Sequence, residues 1–114
     1  MTDTLSITLA ALADPTRRAM LLRLADGNAS VSELGSGFTL SQPAISKHIK
    51  VLEKAGLISR SRSAQFRPCQ IEPAPLKEVM TLMEAFHRLS EERFDRLEDY
   101  LRELQKSPPS GSSA

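Results

Sequence analysis

The sequence predicts a mainly α fold (α+β): a winged helix-turn-helix with a two-stranded β wing and a long C-terminal helix. Three observations predict it. Residues 41–55, SQPAISKHIKVLEKA, open on a helix-starting serine and end at Gly56, a residue type that tolerates positive φ just past a helix C-terminus. Directly afterwards the apolar period changes from 3.6 to 2, in LISRSR (57–62) and in QFRPCQI (65–71). A helical apolar pattern then runs over residues 76–104.

Length and composition narrow the class. A chain of 114 residues is one domain's worth, and 40% hydrophobic with 25% charged residues is the composition of a soluble globular domain. The domain is expected over residues 1–106. Residues 107–114 (SPPSGSSA) carry nothing to bury and are expected to be disordered. No apolar run approaches the ~20 residues of a membrane span, and the N-terminus has no charged-then-apolar leader pattern. The chain therefore reads as cytoplasmic, with no membrane partner. One cysteine, Cys69, excludes an internal disulfide and a thiolate-only metal site within one chain. No Ser/His/Asp set, paired buried carboxylates or Gly-rich phosphate loop is visible, so neither an enzyme nor a cofactor is expected.

Net charge is only +1, but it is unevenly placed. From 41 to 67, Lys47, Lys50, Lys54, Arg60, Arg62 and Arg67 face one acid, Glu53. From 72 to 105 the balance reverses, with nine acids against five bases. A basic middle and an acidic end describe an electrostatic footprint confined to one face, as a nucleic-acid contact requires.

The elements follow in order. Residues 5–12 (LSITLAAL) form a short helix, apolar on more than one side, which needs a partner beyond its own small domain. Asp14 and Pro15 stop and restart the chain as N-cap and first helical residue. The helix over 15–25 is expected to bury Ala19, Leu21, Leu22 and Leu24, leaving Arg17, Arg18 and Arg23 polar. Residues 30–37 (SVSELGSG) give the weakest element, one short turn that Ser32 could cap, frayed by Gly35 and Gly37 at about 1 kcal/mol each. A tight turn leads into the helix at 41–55. There Ser41 caps, and Pro43 sits in the first turn, where its missing N–H costs nothing. At about 100° per residue, Ala44, Ile45, His48, Ile49, Val51, Leu52 and Ala55 fall on one side. Gln42, Pro43, Ser46, Lys47, Lys50, Glu53 and Lys54 fall on the other. Short helix, turn, and a helix with a buried back and a Gln/Ser/Lys front make a helix-turn-helix that fits a DNA major groove.

Residues 57–62 then read as a strand with arginines alternating outward, Ser63-Ala64 as a turn, and 65–71 as the returning strand, at an edge or broken at Pro68. This basic wing carries Arg60, Arg62 and Arg67 toward phosphates. Glu72-Pro73-Ala74-Pro75 is a stiff connector. The helix after it spans about 29 residues, roughly 44 Å, whereas a body of about 75 residues measures roughly 25–30 Å. In its last part Ser90, Phe94, Leu97, Leu101 and Leu104 recur at 4-3-4-3 spacing, a helix-packing seam. The economical partner is a second copy, so this is read as a dimerisation helix. The expected interface is Leu5, Leu9, Leu12, Met83, Phe86, Phe94, Leu97, Leu101 and Leu104.

The runs ALADPTRRAMLLRL, VSEL, LSQPAISKHIKVLEKAGLISRSR, AQFRPCQIEPAPLKEV and EERFDRLEDYL closely resemble winged-helix transcriptional regulators of the ArsR/SmtB type, in the branch lacking metal-binding cysteines. The likeness covers nearly all of residues 9–104. It implies a homodimer that binds a short inverted repeat in double-stranded DNA and usually represses transcription. It also implies that residues 41–55 are the recognition helix, with the wing at 60–67. Together with the polar face, this makes the expected DNA-binding residues Ser41, Gln42, Pro43, Ser46, Lys47, Lys50, Arg60, Arg62 and Arg67. Arsenic and cadmium sensors of this type carry Cys-Val-Cys before an acid and a leucine; here the stretch is Ser30-Val31-Ser32-Glu33-Leu34, and hydroxyls are poor soft-metal ligands. Zinc and nickel sensors use several Asp and His on the last helix. Here Glu84, His87 and Glu91 share one face, which reads as solvated rather than as a metal site.

Three residues carry alternative readings. His48, amid the apolar face, reads as a packed, hydrogen-bonded ring. Cys69 is a small apolar filler or, with Arg67 nearby lowering its pKa, a redox sensor. The acids of the last helix could serve an adaptor that binds protein instead of DNA. The effector, if any, is not written in the sequence.

Overall fold

The computed structural model describes residues 3–61 and 67–106. Among them run α1 (Thr4–Leu12), α2 (Pro15–Ala25), α3 (Val31–Gly35), α4 (Gln42–Lys54), β1 (Ile58–Arg60), β2 (Cys69–Ile71) and α5 (Ala74–Lys106). The expected tail at 107–114, Arg62 and the Ser63-Ala64 turn lie outside the described residues. The chain divides into two units, Met1–Val79 and Met80–Ala114, with the boundary inside α5.

Short-range chemistry sets the helix ends. Asp14 caps α2, its carboxylate accepting from the Arg17 N–H at 3.0 Å, and Pro15 follows in the first turn. Ser41 caps α4 in the same way, its hydroxyl accepting from the Ala44 N–H at 3.3 Å. At the far end of α4, Gly56 has φ +74°. Its N–H donates to the Glu53 carbonyl at 3.0 Å and that of Leu57 to the Leu52 carbonyl at 3.0 Å, the paired bonds of a Schellman stop. At α3 the cap is Ser30 rather than Ser32. Its hydroxyl accepts from the Glu33 N–H at 3.1 Å, and the Glu33 carboxylate accepts from the Ser30 N–H at 3.0 Å.

The first unit closes around Met20, Leu21, Leu24, Leu34, Ile45, Ile49, Leu52, Leu57 and Ile58, all buried. Here α2 departs from expectation: it buries Met20, while Leu22 is 72% exposed and Ala19 is exposed. Apolar residues at 19–22 cover almost every direction around the helix, so contacts with α1, α3, α4 and β2 choose the buried face. Gly35 has a packing reason. A Cβ there would come within 3.2 Å of the Ile45 side chain, so glycine lets α3 lie close against α4. Leu12, expected at an intermolecular interface, packs partly against this core.

The sheet is shorter than expected. β1 and β2 pair antiparallel with Ile58 opposite Ile71, Ser59 opposite Gln70 and Arg60 opposite Cys69. β2 begins after Pro68, which has no N–H for a ladder. Ala29 adds a one-residue bridge on the other side of Cys69, with reciprocal N–H···O bonds of 3.2 and 2.7 Å. Ser59 and Gln70 both donate to the Glu72 carboxylate, at 2.9 and 3.1 Å, closing the base of the wing.

α5 starts earlier than expected: Ala74 and Pro75 belong to its first turn, not to a connector, because a proline there loses no helical bond. Its 33 residues span about 50 Å. In the second unit Phe86, Phe94, Leu97, Tyr100, Leu101 and Leu104 are all at least half exposed or close to it, from 48 to 67%. No helix among the described residues is long and apolar enough to cross a membrane.

Candidate nucleic-acid interface

α4 presents two chemically distinct faces. Ile45, Ile49 and Leu52 are buried beneath it. Ser41, Gln42, Pro43, Lys47 and Lys50 are exposed, and Ser46 is half-buried. Lys47, Lys50 and Lys54 flank a shallow depression of about 460 Å³, with Val51 and Glu53 in its wall. A smaller hollow of about 120 Å³, where α4 meets β1, is lined by Ser46, Lys50, Glu53 and Arg60, with Val31 and Ile49 behind. Thus Ser46 and Lys50 from the helix and Arg60 from the wing are brought to one place, although Arg60 lies beyond the helix stop in sequence. Arg67 is exposed and adopts φ +39°, at the return of the wing just before Pro68. Arg62 lies outside the described residues.

Arg60 does not alternate outward as expected. Period 2 puts it on the same side as Ile58, which is 3% exposed, so Arg60 is half-buried and pairs with Cys69. Its Nε is buried and has no hydrogen-bond partner among the described residues. Arg60 is nonetheless one of the residues lining the smaller hollow, beside Lys50 and Ser46.

Of the two readings of Cys69, its surroundings favour the small apolar filler over the activated thiol. The side chain is 0% exposed, and burial pushes its thiol above the usual thiol range. The opposing cation is Arg60 rather than Arg67; its pull is the weaker influence, and Glu53 adds to the upward shift. A neutral buried thiol is a poor nucleophile. On α5, His87 Nε2 lies 2.9 Å from Glu91 Oε1 on an exposed surface. Among the described residues no group of three or more His, Cys, Asp or Glu side chains is gathered to hold a metal.

His48 is half-buried and hydrogen-bonded, and its partner is a residue that sequence reasoning left as merely polar. Arg17 Nη1 lies 3.2 Å from His48 Nδ1. The same guanidinium donates to the carbonyls of Ala11 at 2.7 Å and Ala10 at 3.2 Å. Asp14 Oδ2 is 3.9 Å from His48 Nδ1. The local signal for Arg17 is faint: it sits at the N-cap-plus-three position of α2, but its partner is 31 residues away.

Comparison with known proteins adds a lineage to this geometry. The profile described as "Bacterial regulatory protein, arsR family" matches residues 14–60, from the cap of α2 to the end of β1. The HTH-type transcriptional regulator Rv2034 of Mycobacterium tuberculosis is 41% identical over 76 residues, which are 67% of this chain and 71% of that protein. The transcriptional repressor SdpR of Bacillus subtilis is 39% identical over 56 residues, 49% of this chain and 62% of that protein. Among solved structures, the ArsR family transcriptional regulator RHA00566 superposes with a TM-score of 0.71 at 40% identity, covering 78% of this chain and 98% of that one.

Proposed function

Because the chain belongs to the arsR family of bacterial transcriptional regulators, we propose that it is a homodimeric repressor that reads an inverted repeat in double-stranded DNA. The observation that carries this reading is the exposed Gln42, Lys47 and Lys50 front of α4 beside the hollow shared by Ser46, Lys50 and Arg60. Gln42 and Ser46 have the donors and acceptors to read base edges in a major groove. Lys47, Lys50, Arg60, Arg62 and Arg67 supply phosphate contacts, and Ser41 and Pro43 lie at the end of the helix that enters first. Repression is the action named for the relative SdpR, which supports that half of the reading.

A second copy is the partner the apolar surfaces ask for. Met83, Phe86, Phe94, Leu97, Leu101 and Leu104 are each about half exposed or more, an apolar stripe that monomers rarely leave bare. In the first unit, Leu5 and Leu9 on α1 are only half-buried. A groove of about 360 Å³, lined by Leu12, Leu21, Leu22, Ala25, Ile71 and Leu76 with Arg18 at its edge, offers a further apolar surface. Two copies would hold their recognition helices about one DNA turn, roughly 34 Å, apart. The setting is the cytoplasm, where the DNA is.

The test is a titration of the best site that the wild-type protein selects from random duplex DNA. Lys50→Ala is expected to weaken binding to every sequence and lower the salt slope by about 1. Gln42→Ala is expected to relax choice at one base pair, by about 1–3 kcal/mol. Unchanged sequence preference in Gln42→Ala removes that base-reading role. No retention of any DNA by the wild type at low salt points instead to a protein-binding adaptor, served by the acids of α5.

A further inference from the structure

We propose that Arg17 is a positioning residue for DNA recognition, holding the roll of α4 by joining the end of α1 to His48 on the back of the recognition helix. The inference rests on the DNA-reading role proposed above. The last carbonyls of a helix have no partner within it. Arg17 Nε takes the one at Ala11 (2.7 Å), and Nη2 shares the Ala10 carbonyl (3.2 Å) with the N–H of the C-cap Ala13. Its remaining terminal nitrogen, Nη1, meets His48 Nδ1 at 3.2 Å. A guanidinium has no acceptor, so here His48 Nδ1 is the acceptor and the ring carries its proton on Nε2. The Asp14 carboxylate, 3.9 Å from the same ring nitrogen, also caps α2 through the Arg17 N–H. One side chain thereby connects α1, α2 and α4.

The rest of the back of α4 explains why such a bridge matters. Ile45, Ile49 and Leu52 are buried against apolar neighbours. Apolar burial is non-directional: it fixes which face of a helix turns inward but resists a small roll less sharply than a directional bond does. A roll of about 20° carries a side chain some 5–6 Å from the axis through about 2 Å. A shift of that size breaks a base-edge hydrogen bond, which needs its heavy atoms within about 3.2 Å. A directional bond from a fixed guanidinium resists that roll. His48 is half-buried while Lys47 and Lys50 are exposed, so loss of the bridge leaves the phosphate-binding cations in place.

The experiment compares affinity for the selected site with affinity for a scrambled duplex of equal length, in wild type, His48→Asn and His48→Leu. Asparagine keeps an acceptor near the Nδ1 position; leucine keeps apolar bulk without one. His48→Leu is expected to lose about tenfold in the specific-to-nonspecific ratio, the scale of one hydrogen bond to a charged group. Its nonspecific affinity and salt slope are expected to match wild type, and His48→Asn is expected to recover most of the ratio. Equal ratios in all three proteins overturn the inference, as does an equal loss in His48→Asn and His48→Leu. If His48→Leu does not fold, Arg17→Gln is scored by the same ratio, with folding followed by thermal melting; an unchanged ratio there overturns it too. A wild-type protein that selects no site fails the DNA-reading role itself, which separates the two failures.

Discussion

Leu52 in α4 and Leu101 in α5 both lie on the apolar side of an amphipathic helix, yet the first is 0% exposed and the second 48%. The difference lies in what surrounds each helix. α4 is met by α2, α3 and β1, which together cover its stripe. Among the described residues the second unit is the distal part of α5 alone, and one helix cannot bury its own apolar side. The same kind of sequence pattern is a core in one region and an exposed apolar stripe in the other.

The largest effect that would break this comparison is in the core. Leu52→Ala is expected to lower unfolding free energy by about 2–5 kcal/mol, measured by urea denaturation, because the cavity is enclosed on all sides. A loss no larger than a surface substitution would mean the first unit is not the closed core described. Next is the distal stripe. Phe94→Ser combined with Leu101→Ser is expected to weaken self-association by at least about 100-fold in sedimentation experiments. At concentrations where both proteins are monomeric, folding stability should change by no more than about 0.5 kcal/mol. A wild-type chain that stays monomeric at high concentration would remove the proposed dimer interface altogether.

The smallest effect separates local from tertiary stabilisation. The Arg17 N–H bond holds the Asp14 carboxyl below its ordinary value of 3.8; partial burial opposes this, and the Arg17 charge adds to it. A lowered folded-state value means the group stabilises the fold above about pH 4, and that this share is lost as pH falls through the lowered value. Asp14→Asn keeps an oxygen acceptor for the cap but does not titrate. Its stability should therefore fall less steeply than wild type below pH 4 in acid unfolding followed by circular dichroism. An identical acid limb would mean that the cap makes no charge-dependent contribution.

The legibility of the fold follows the range of each interaction. Asp14-Pro15, Ser41 and Gly56 were readable because a cap uses atoms three or four residues away. The Ser30–Glu33 capping box is equally local, but the run offers two hydroxyls, Ser30 and Ser32, and only the backbone path selects between them. The face of α2 was not readable. Consecutive apolar residues from Ala19 to Leu22 leave the period ambiguous, and Met20 rather than Leu22 was buried by neighbours distant in sequence. For Arg60, alternation alone leaves the phase open, and the burial of Ile58 fixes Arg60 on the inward side. At the candidate interface, the Gln/Ser/Lys front was visible as one helix face. The hollow joining Ser46 and Lys50 to Arg60 was not, because it depends on how β1 leaves α4.

By itself the sequence determined where α2 and α4 start and where α4 stops, the change from helix to strand after Gly56, and a polar front on α4. Each depends on the backbone preferences and side-chain reach of nearby residues. Only the tertiary structure decided that Cys69 is a buried thiol bridged to Ala29, that Arg60 is half-buried opposite Cys69, and that Arg17 reaches His48. Those outcomes require groups 9, 40 and 31 residues apart to share one small volume, through the Arg60–Cys69 pair, the Ala29–Cys69 bridge and the Arg17–His48 contact. Burial and directional hydrogen bonds select such meetings, and no local pattern carries them.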